Sequence, residues 1–146
     1  MRKKIVAGNW KMNCTFEEGQ KLTSEIVNMI KDERTKDVTV VLNPPFLHIQ
    51  SIKKLVGETA GLYVGGQNCS SRDSGAYTGE ISAKMLASFG ASHVIIGHSE
   101  RREYFKESNE ELIGKVKMAL TNQLTPIFCC GEPLDVREKN QHEKLV

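Results

Sequence analysis

The sequence of 146 residues contains no apolar run that approaches the length of a membrane-spanning helix. Its longest such runs, for example residues 38–42, are far shorter than the ~20 residues needed to cross a bilayer. The formal net charge of +2 is also small, and a field this weak does not attract nucleic acid or an anionic membrane by itself. We therefore expect no membrane and no nucleic-acid partner, and any anion site must be built locally.

Cysteine is scarce and is not spaced for metal binding, because the four cysteines include no CxxC pair. A chain of this length does not need disulfides to fold, so we interpret Cys14, Cys69, Cys129 and Cys130 as reduced thiols. We interpret the adjacent pair as packed residues of a strand, with a redox or nucleophilic role as the alternative. The first residues also lack the apolar region of about 7–15 residues typical of a secretory signal, which predicts a cytoplasmic location.

Five short apolar runs are distributed along the chain. None of them alternates with polar residues, and continuous apolar runs of this length are typical of strands buried on both faces, as in a parallel sheet. The predicted strands are residues 5–7, 38–42, 62–64, 94–96 and 127–130.

Helical patterns lie between these runs. Thr15 and Glu18 form a capping box that predicts the start of the first helix, and Ser108 and Glu111 repeat the device for the fourth. A shorter helix is predicted over residues 82–89. The predicted buried stripes are Leu22, Ile26, Met29 and Ile30 in the first helix, Ile49, Ile52 and Val56 in the second, and Ile113, Val116 and Leu120 in the fourth.

Strand and helix alternate at least four times, which predicts an α/β fold with a parallel sheet. Periodicity alone leaves both a closed barrel and an open sheet possible. No linker, repeat or charge block divides the chain, so residues 1–146 are predicted to belong to a single domain. The last residues, 137–146, are polar and lack a helix cap, so we expect the chain to stop within a helix.

In parallel α/β folds the reactive groups gather where strands end. Asn9 and Lys11 follow the first predicted strand, and His98 follows the fourth, just before a predicted helix. Because the positive end of a helix disfavours an imidazolium, we expect a neutral ring that can donate a hydrogen bond. The alternatives are a solvated lysine and a histidine that serves only the structure.

Five segments, taken together and in order, resemble the triosephosphate isomerase family. They are GNWKMN at 8–13, GQN at 66–68, GAYTGE at 75–80, IGHSERR at 96–102 and CCGE at 129–132. The similarity runs from the start to about residue 137, and it implies a parallel (β/α)8 TIM barrel of ≈ 250 residues, of which this chain carries about the first five strands.

The resemblance also implies roles for individual residues. The reaction is the interconversion of dihydroxyacetone phosphate and D-glyceraldehyde 3-phosphate through an enediolate, in glycolysis and gluconeogenesis, without a metal or an organic cofactor. Asn9 and Lys11 resemble the substrate-binding pair, His98 resembles the electrophile, and Glu100 resembles the carboxylate that positions Lys11. Ser99 is expected to cap the helix behind them.

The loop at 67–80 resembles the interface loop of the family and implies a homodimer. In that reading Gln67 and Glu80 hold the loop, and Thr78 reaches toward the active site of the partner subunit. The alternative is an ordinary flexible connection with glycines in its turns.

One component of the reaction has no counterpart in these 146 residues, namely the glutamate base that the family places after its sixth strand. Glu132 resembles a structural acid of the family and is not proposed as the base. We therefore expect the chain alone to be inactive. The alternatives are a non-catalytic module that binds phosphorylated ligands and a half-barrel that assembles with itself or with another chain.

Overall fold

A computed structural model of the protein describes residues 3–33, 37–141 and 143. Its five strands lie side by side in sequence order, and each neighbouring pair is parallel. The five predicted strands are confirmed, but the first and the last are not buried on both faces as expected, and residues 4–7 of the first are exposed. The last strand also ends earlier than expected, so Cys129 and Cys130 follow it instead of packing within it. The strands are β1 (Lys4–Asn9), β2 (Val38–Asn43), β3 (Leu62–Gly66), β4 (His93–Ile96) and β5 (Thr125–Phe128).

Helices follow each strand, and a 3-10 turn at Phe46–His48 precedes the second helix. We expected a helix to continue to the end of the sequence. This prediction is wrong at residues 139–141, which lie beyond the last helix, and residues 142 and 144–146 lie outside the described residues. The helices are α1 (Phe16–Glu33), α2 (Ile49–Val56), α3 (Ala83–Ser88), α4 (Ser99–Tyr104), α5 (Asn109–Thr121) and α6 (Leu134–Glu138).

The strand order decides between the two architectures that periodicity left open. Right-handed crossovers between strands in sequential order all pass over the same face of the sheet, as in a barrel. A doubly wound sheet would instead reverse its strand order. The main core lies between strands and helices and includes Leu42, Val64, Val94 and Ile96 from the sheet. Side chains alternate along a strand, so the buried Ile95 faces the opposite, concave side.

The predicted buried stripe of α1 is rotated from the observed one. Its fully buried residues are Gly19, Thr23 and Val27, whereas Met29 is exposed. A Cβ added at Gly19 would lie only 2.9 Å from Nδ1 of His48, so the small residue allows the helix to approach closely. Leu22, Ile26 and Ile30 are only partly buried.

The stripe of α5 is shifted in the same way, whereas that of α2 is confirmed. In α5 the buried positions are Leu112, Lys115 and Ala119, and the predicted Ile113 and Leu120 are more than half exposed. The reason is Lys115, a charged residue that the pattern assigned to solvent and that the structure buries.

The helix caps are confirmed in part. Ser108 accepts a hydrogen bond from the backbone N–H of Glu111 at 3.2 Å, as predicted for the start of α5. At the start of α1, Glu18 accepts the backbone N–H of Thr15 at 2.7 Å, but the Thr15 hydroxyl donates to that same carboxylate. The capping box of α1 is therefore formed from one side only.

Candidate active site

The ends of β1 and β4 bring an ammonium and a carboxylate together. Nζ of Lys11 donates a hydrogen bond to Oε1 of Glu100 at 2.6 Å, across 89 positions of sequence. Because carboxyl ends of parallel strands meet at one edge of the sheet, the fold supplies this contact without any local sequence signal. Both side chains are partly exposed, at 52% and 41%, so the pair remains open to a ligand from solvent.

The backbone of Lys11 is held in a conformation that an L-residue rarely adopts, with φ at +52°. Oδ1 of Asn9 accepts the Lys11 N–H at 3.0 Å, and Nε2 of Gln67 donates to the Lys11 carbonyl oxygen at 2.9 Å. Asn9 and Lys11, which were predicted as a substrate-binding pair, are therefore in direct contact.

The hydrogen bond from Lys11 holds the pKa of the Glu100 carboxyl below its ordinary value of 4.5. Burial of the carboxyl opposes this lowering of the pKa, but the hydrogen bond is the larger effect, and the charge of Lys11 adds to it. Glu100 is thus an anion near neutral pH and keeps an ammonium fixed at the rim.

His98 occupies the position before α4, and its ring caps that helix. Nδ1 accepts the backbone N–H of Glu100 at 3.2 Å, so the neutral ring carries its proton on Nε2. Oε2 of Glu100 lies 3.5 Å from Nδ1, which is longer than an ordinary hydrogen bond. The prediction that Ser99 caps this helix is wrong, because the imidazole of His98 takes that role.

The structure separates the three residues predicted for the interface loop. Gln67 lies beside Lys11, whereas Thr78 and Glu80 lie in an exposed stretch at 72–80. The base of the loop is closed by a hydrogen bond of 2.8 Å from the Ser70 N–H to the Ile81 carbonyl oxygen. The loop therefore projects from the body of the protein.

Two pairs of hydrogen bonds at the rim were not predicted. Arg102 donates to the carbonyl oxygens of Gly97 at 2.9 Å and Cys129 at 3.3 Å, which ties the end of β4 to the end of β5. The carbonyl oxygen of Asn43 accepts both the Trp10 N–H at 3.1 Å and the amide of Gln67 at 2.9 Å. Arg102 belongs to the motif IGHSERR, so the sequence contained a signal for its two hydrogen bonds. The bonds to the Asn43 carbonyl oxygen depend on how β1 pairs with β2, which the sequence alone does not show.

The four cysteines are free thiols. Within residues 3–33 and 37–141, no group of three or more His, Cys, Asp or Glu side chains is arranged to hold a metal ion. In the same ranges, no helix has both the length and the apolar character that a bilayer crossing requires.

Fold and rim together define a class of protein: a parallel β/α barrel, represented here by its first five strands, with an ammonium, a carboxylate and an imidazole at the carboxyl ends of its strands. The family model of triosephosphate isomerase matches residues 4–146. The chain belongs to the triosephosphate isomerase family.

Individual relatives agree with this assignment. The chain is 52% identical over all 146 residues to a triosephosphate isomerase of Cytophaga hutchinsonii and 51% identical to one of Bacteroides fragilis. The crystal structure of triosephosphate isomerase from Bartonella henselae superposes with a TM-score of 0.89 at 38% identity and covers 99% of this chain. The chain spans 57% of the length of the first two relatives and 58% of the third.

Proposed function

We propose that the whole protein to which these residues belong interconverts dihydroxyacetone phosphate and D-glyceraldehyde 3-phosphate, as a homodimer in the cytoplasm. The observation that carries the proposal is the Lys11–Glu100 contact of 2.6 Å beside the His98 ring, at the end of the sheet where barrel enzymes bind substrate. Residues 1–146 are then the amino-terminal part of one barrel domain, with no metal or organic cofactor assigned.

The tautomer of His98 supports its role as the electrophile. With Nδ1 occupied by the Glu100 N–H, Nε2–H is the donor available to a substrate carbonyl oxygen. As an enediolate forms, negative charge grows on that oxygen, and a fixed hydrogen-bond donor stabilises it more than it stabilises the ketone. The Lys11 ammonium offsets the same charge and that of the phosphate, while Asn9 holds the Lys11 backbone.

A base must remove the proton from carbon, and the two acids near the rim have other partners. Glu100 binds Lys11 at 2.6 Å, and Glu132 binds Arg137 at 2.5 Å. We therefore assign the base to the family's glutamate after the sixth strand, outside these 146 residues. The chain alone is expected to have no measurable isomerase activity.

The homodimer proposal rests on the projecting loop and on exposed apolar side chains in that loop and elsewhere on the surface. Tyr77 in the loop is 46% exposed, and Met12 and Leu47 are 95% and 92% exposed. Large apolar groups this exposed favour a protein contact. A charged substitution, Thr78→Arg, is expected to shift the complete protein from dimer to monomer in analytical ultracentrifugation. An unchanged dimer would contradict the role of Thr78.

The catalytic proposal is tested by joining residues 1–146 to the carboxyl-terminal remainder of the Cytophaga hutchinsonii relative and measuring isomerase activity in a coupled assay. The joined chain is expected to be active, and His98→Gln and Lys11→Met are each expected to reduce kcat/KM by at least about 100-fold. Lys117→Met, at an exposed position of α5, is the matched control.

Two outcomes would contradict the proposal. One is a folded joined chain in which His98→Gln has full activity. The other is specific binding of a triose phosphate in calorimetry without turnover, which would favour the binding module instead.

A further inference from the structure

We propose that Gln67 is a positioning residue for Lys11: its amide sets the backbone conformation that directs the ammonium to the rim. The inference rests on the proposed function, and it gives Gln67 a role within its own subunit, separate from the interface role implied by the resemblance. It begins from the two hydrogen bonds that this side chain makes.

Both bonds come from the same atom. Nε2 of Gln67 lies 2.9 Å from the carbonyl oxygen of Lys11 and 2.9 Å from that of Asn43. A side-chain amide has two N–H groups, so each carbonyl takes one of them. Gln67 directly follows β3 and is half-buried, so its reach across the ends of β1 and β2 is fixed by the sheet.

The bond to Asn43 is not needed to join the strands. The same Asn43 oxygen already accepts the Trp10 N–H at 3.1 Å, in continuation of the register that pairs Asn9 with Asn43. The bond to Lys11 has no such substitute among the contacts described at that carbonyl. Its specific consequence is therefore at Lys11.

Lys11 needs this support because its φ of +52° is unfavourable for a residue with a Cβ. Asn9 holds the N–H of the residue and Gln67 holds its carbonyl oxygen, so the peptide groups on both sides are restrained. A long lysine side chain that is half exposed has many rotamers, and only a fixed backbone leaves Nζ next to Glu100. Without Gln67, Lys11 is free to relax to negative φ and to withdraw the ammonium.

The first test does not depend on activity. In Gln67→Met, which keeps the length and removes the donor, the carboxyl carbon of Glu100 is followed by NMR as pH is varied. We expect the pKa of Glu100 to rise toward its ordinary value, because the hydrogen bond from Lys11 is the largest cause of its lowering. Gln141→Met, at an exposed position, is the control and should leave that titration unchanged.

The titration is measured on the 146-residue chain and on the joined chain, with circular dichroism to verify folding. Gln67→Leu is the second variant, since it also lacks the donor and adds no charge beside Lys11 and Glu100. An unchanged Glu100 titration in either folded variant overturns the proposal.

The second test separates positioning from stability. In the joined chain, Gln67→Met should raise KM for the triose phosphate about tenfold and lower kcat by less than about threefold, because the neutral hydrogen bond that holds the backbone of the charged binding residue is lost. A merely structural role would lower the active fraction, and hence kcat, with KM unchanged, and that result also overturns the proposal. An inactive parent with a shifted Glu100 titration would refute the proposed function and leave the role of Gln67 supported.

Discussion

The buried ion network around Lys115 provides the sharpest test of what stabilises this fold. Lys115 is only 1% exposed, and its Nζ donates to Oε1 of Glu107 at 2.5 Å and to Oδ1 of Asn68 at 2.9 Å. Arg101 donates to the same oxygen of Glu107, whose side chain is 2% exposed. The network joins α5 to the residues after β3 and α4. The perturbation is Lys115→Met, which keeps the volume and removes the charge.

The expected loss in the free energy of unfolding depends on which charges remain after the substitution. Removing one partner of a buried pair costs about 3–5 kcal/mol, because the other charge stays buried without compensation. Here Arg101 continues to neutralise Glu107, so the lower end of that range, about 3 kcal/mol, applies. The double variant Lys115→Met with Glu107→Gln removes the buried charge as well, and its loss should be only about 1 kcal/mol.

The assay is urea unfolding of each variant, followed by circular dichroism, with the free energy of unfolding extrapolated to water. Lys117→Met on the exposed side of the same helix is the control and should stay within about 0.5 kcal/mol of the parent. A loss below about 1 kcal/mol in Lys115→Met, or a double variant less stable than the single one, would refute the reasoning.

Three further predictions concern neighbouring features. Burial raises the pKa of Glu107, but hydrogen bonds from its two cationic partners outweigh burial and hold that pKa below 4.5. The stability that the ionised carboxylate contributes is therefore present above pH 4.5 and is lost as pH falls through the lowered pKa. The urea midpoint should thus fall less steeply in acid for Glu107→Gln than for the parent. Gly65→Ala should cost about 2–3 kcal/mol in the same assay, because its Cβ would lie 2.4 Å from Oδ1 of Asn43, and Asn43→Ala should relieve part of that loss. Burial raises the pKa of the Cys69 thiol to about 11, so a disulfide reagent at about pH 8 should label exposed Cys130 in the folded chain and Cys69 only after unfolding, as read by mass spectrometry.

The strands and α2 could be predicted because their signals are local. A continuous apolar run favours a strand, and Ile49, Ile52 and Val56 repeat at helical spacing, so both patterns can be read without knowing what packs against them. Ser108 caps α5 through a group three residues away, which is also a local contact. Such features can be predicted because the residues that cause them lie within the sequence pattern itself.

The buried faces of α1 and α5 could not be predicted because their determinants are remote. Gly19 is buried because His48 lies against it, and Lys115 is buried because Glu107 and Asn68 receive its charge. A hydropathy pattern scores the glycine as neutral and the lysine as exposed. The partners of Lys115 lie 8 and 47 positions away in the sequence, and only folding brings them to the lysine.

At the candidate site too, the sequence does not show which side chains are buried. Lys11 and Lys115 each bind a glutamate at about the same distance, 2.6 and 2.5 Å, yet their side chains are 52% and 1% exposed. An exposed pair contributes little to stability, since water screens it, but its ammonium remains accessible to an anion from solvent. A buried pair cannot exchange partners without paying for an uncompensated charge, so it serves the fold. Exposure, and not the residue types or their spacing, therefore separates the lysine that is open to an anion from solvent from the lysine that holds the helices together.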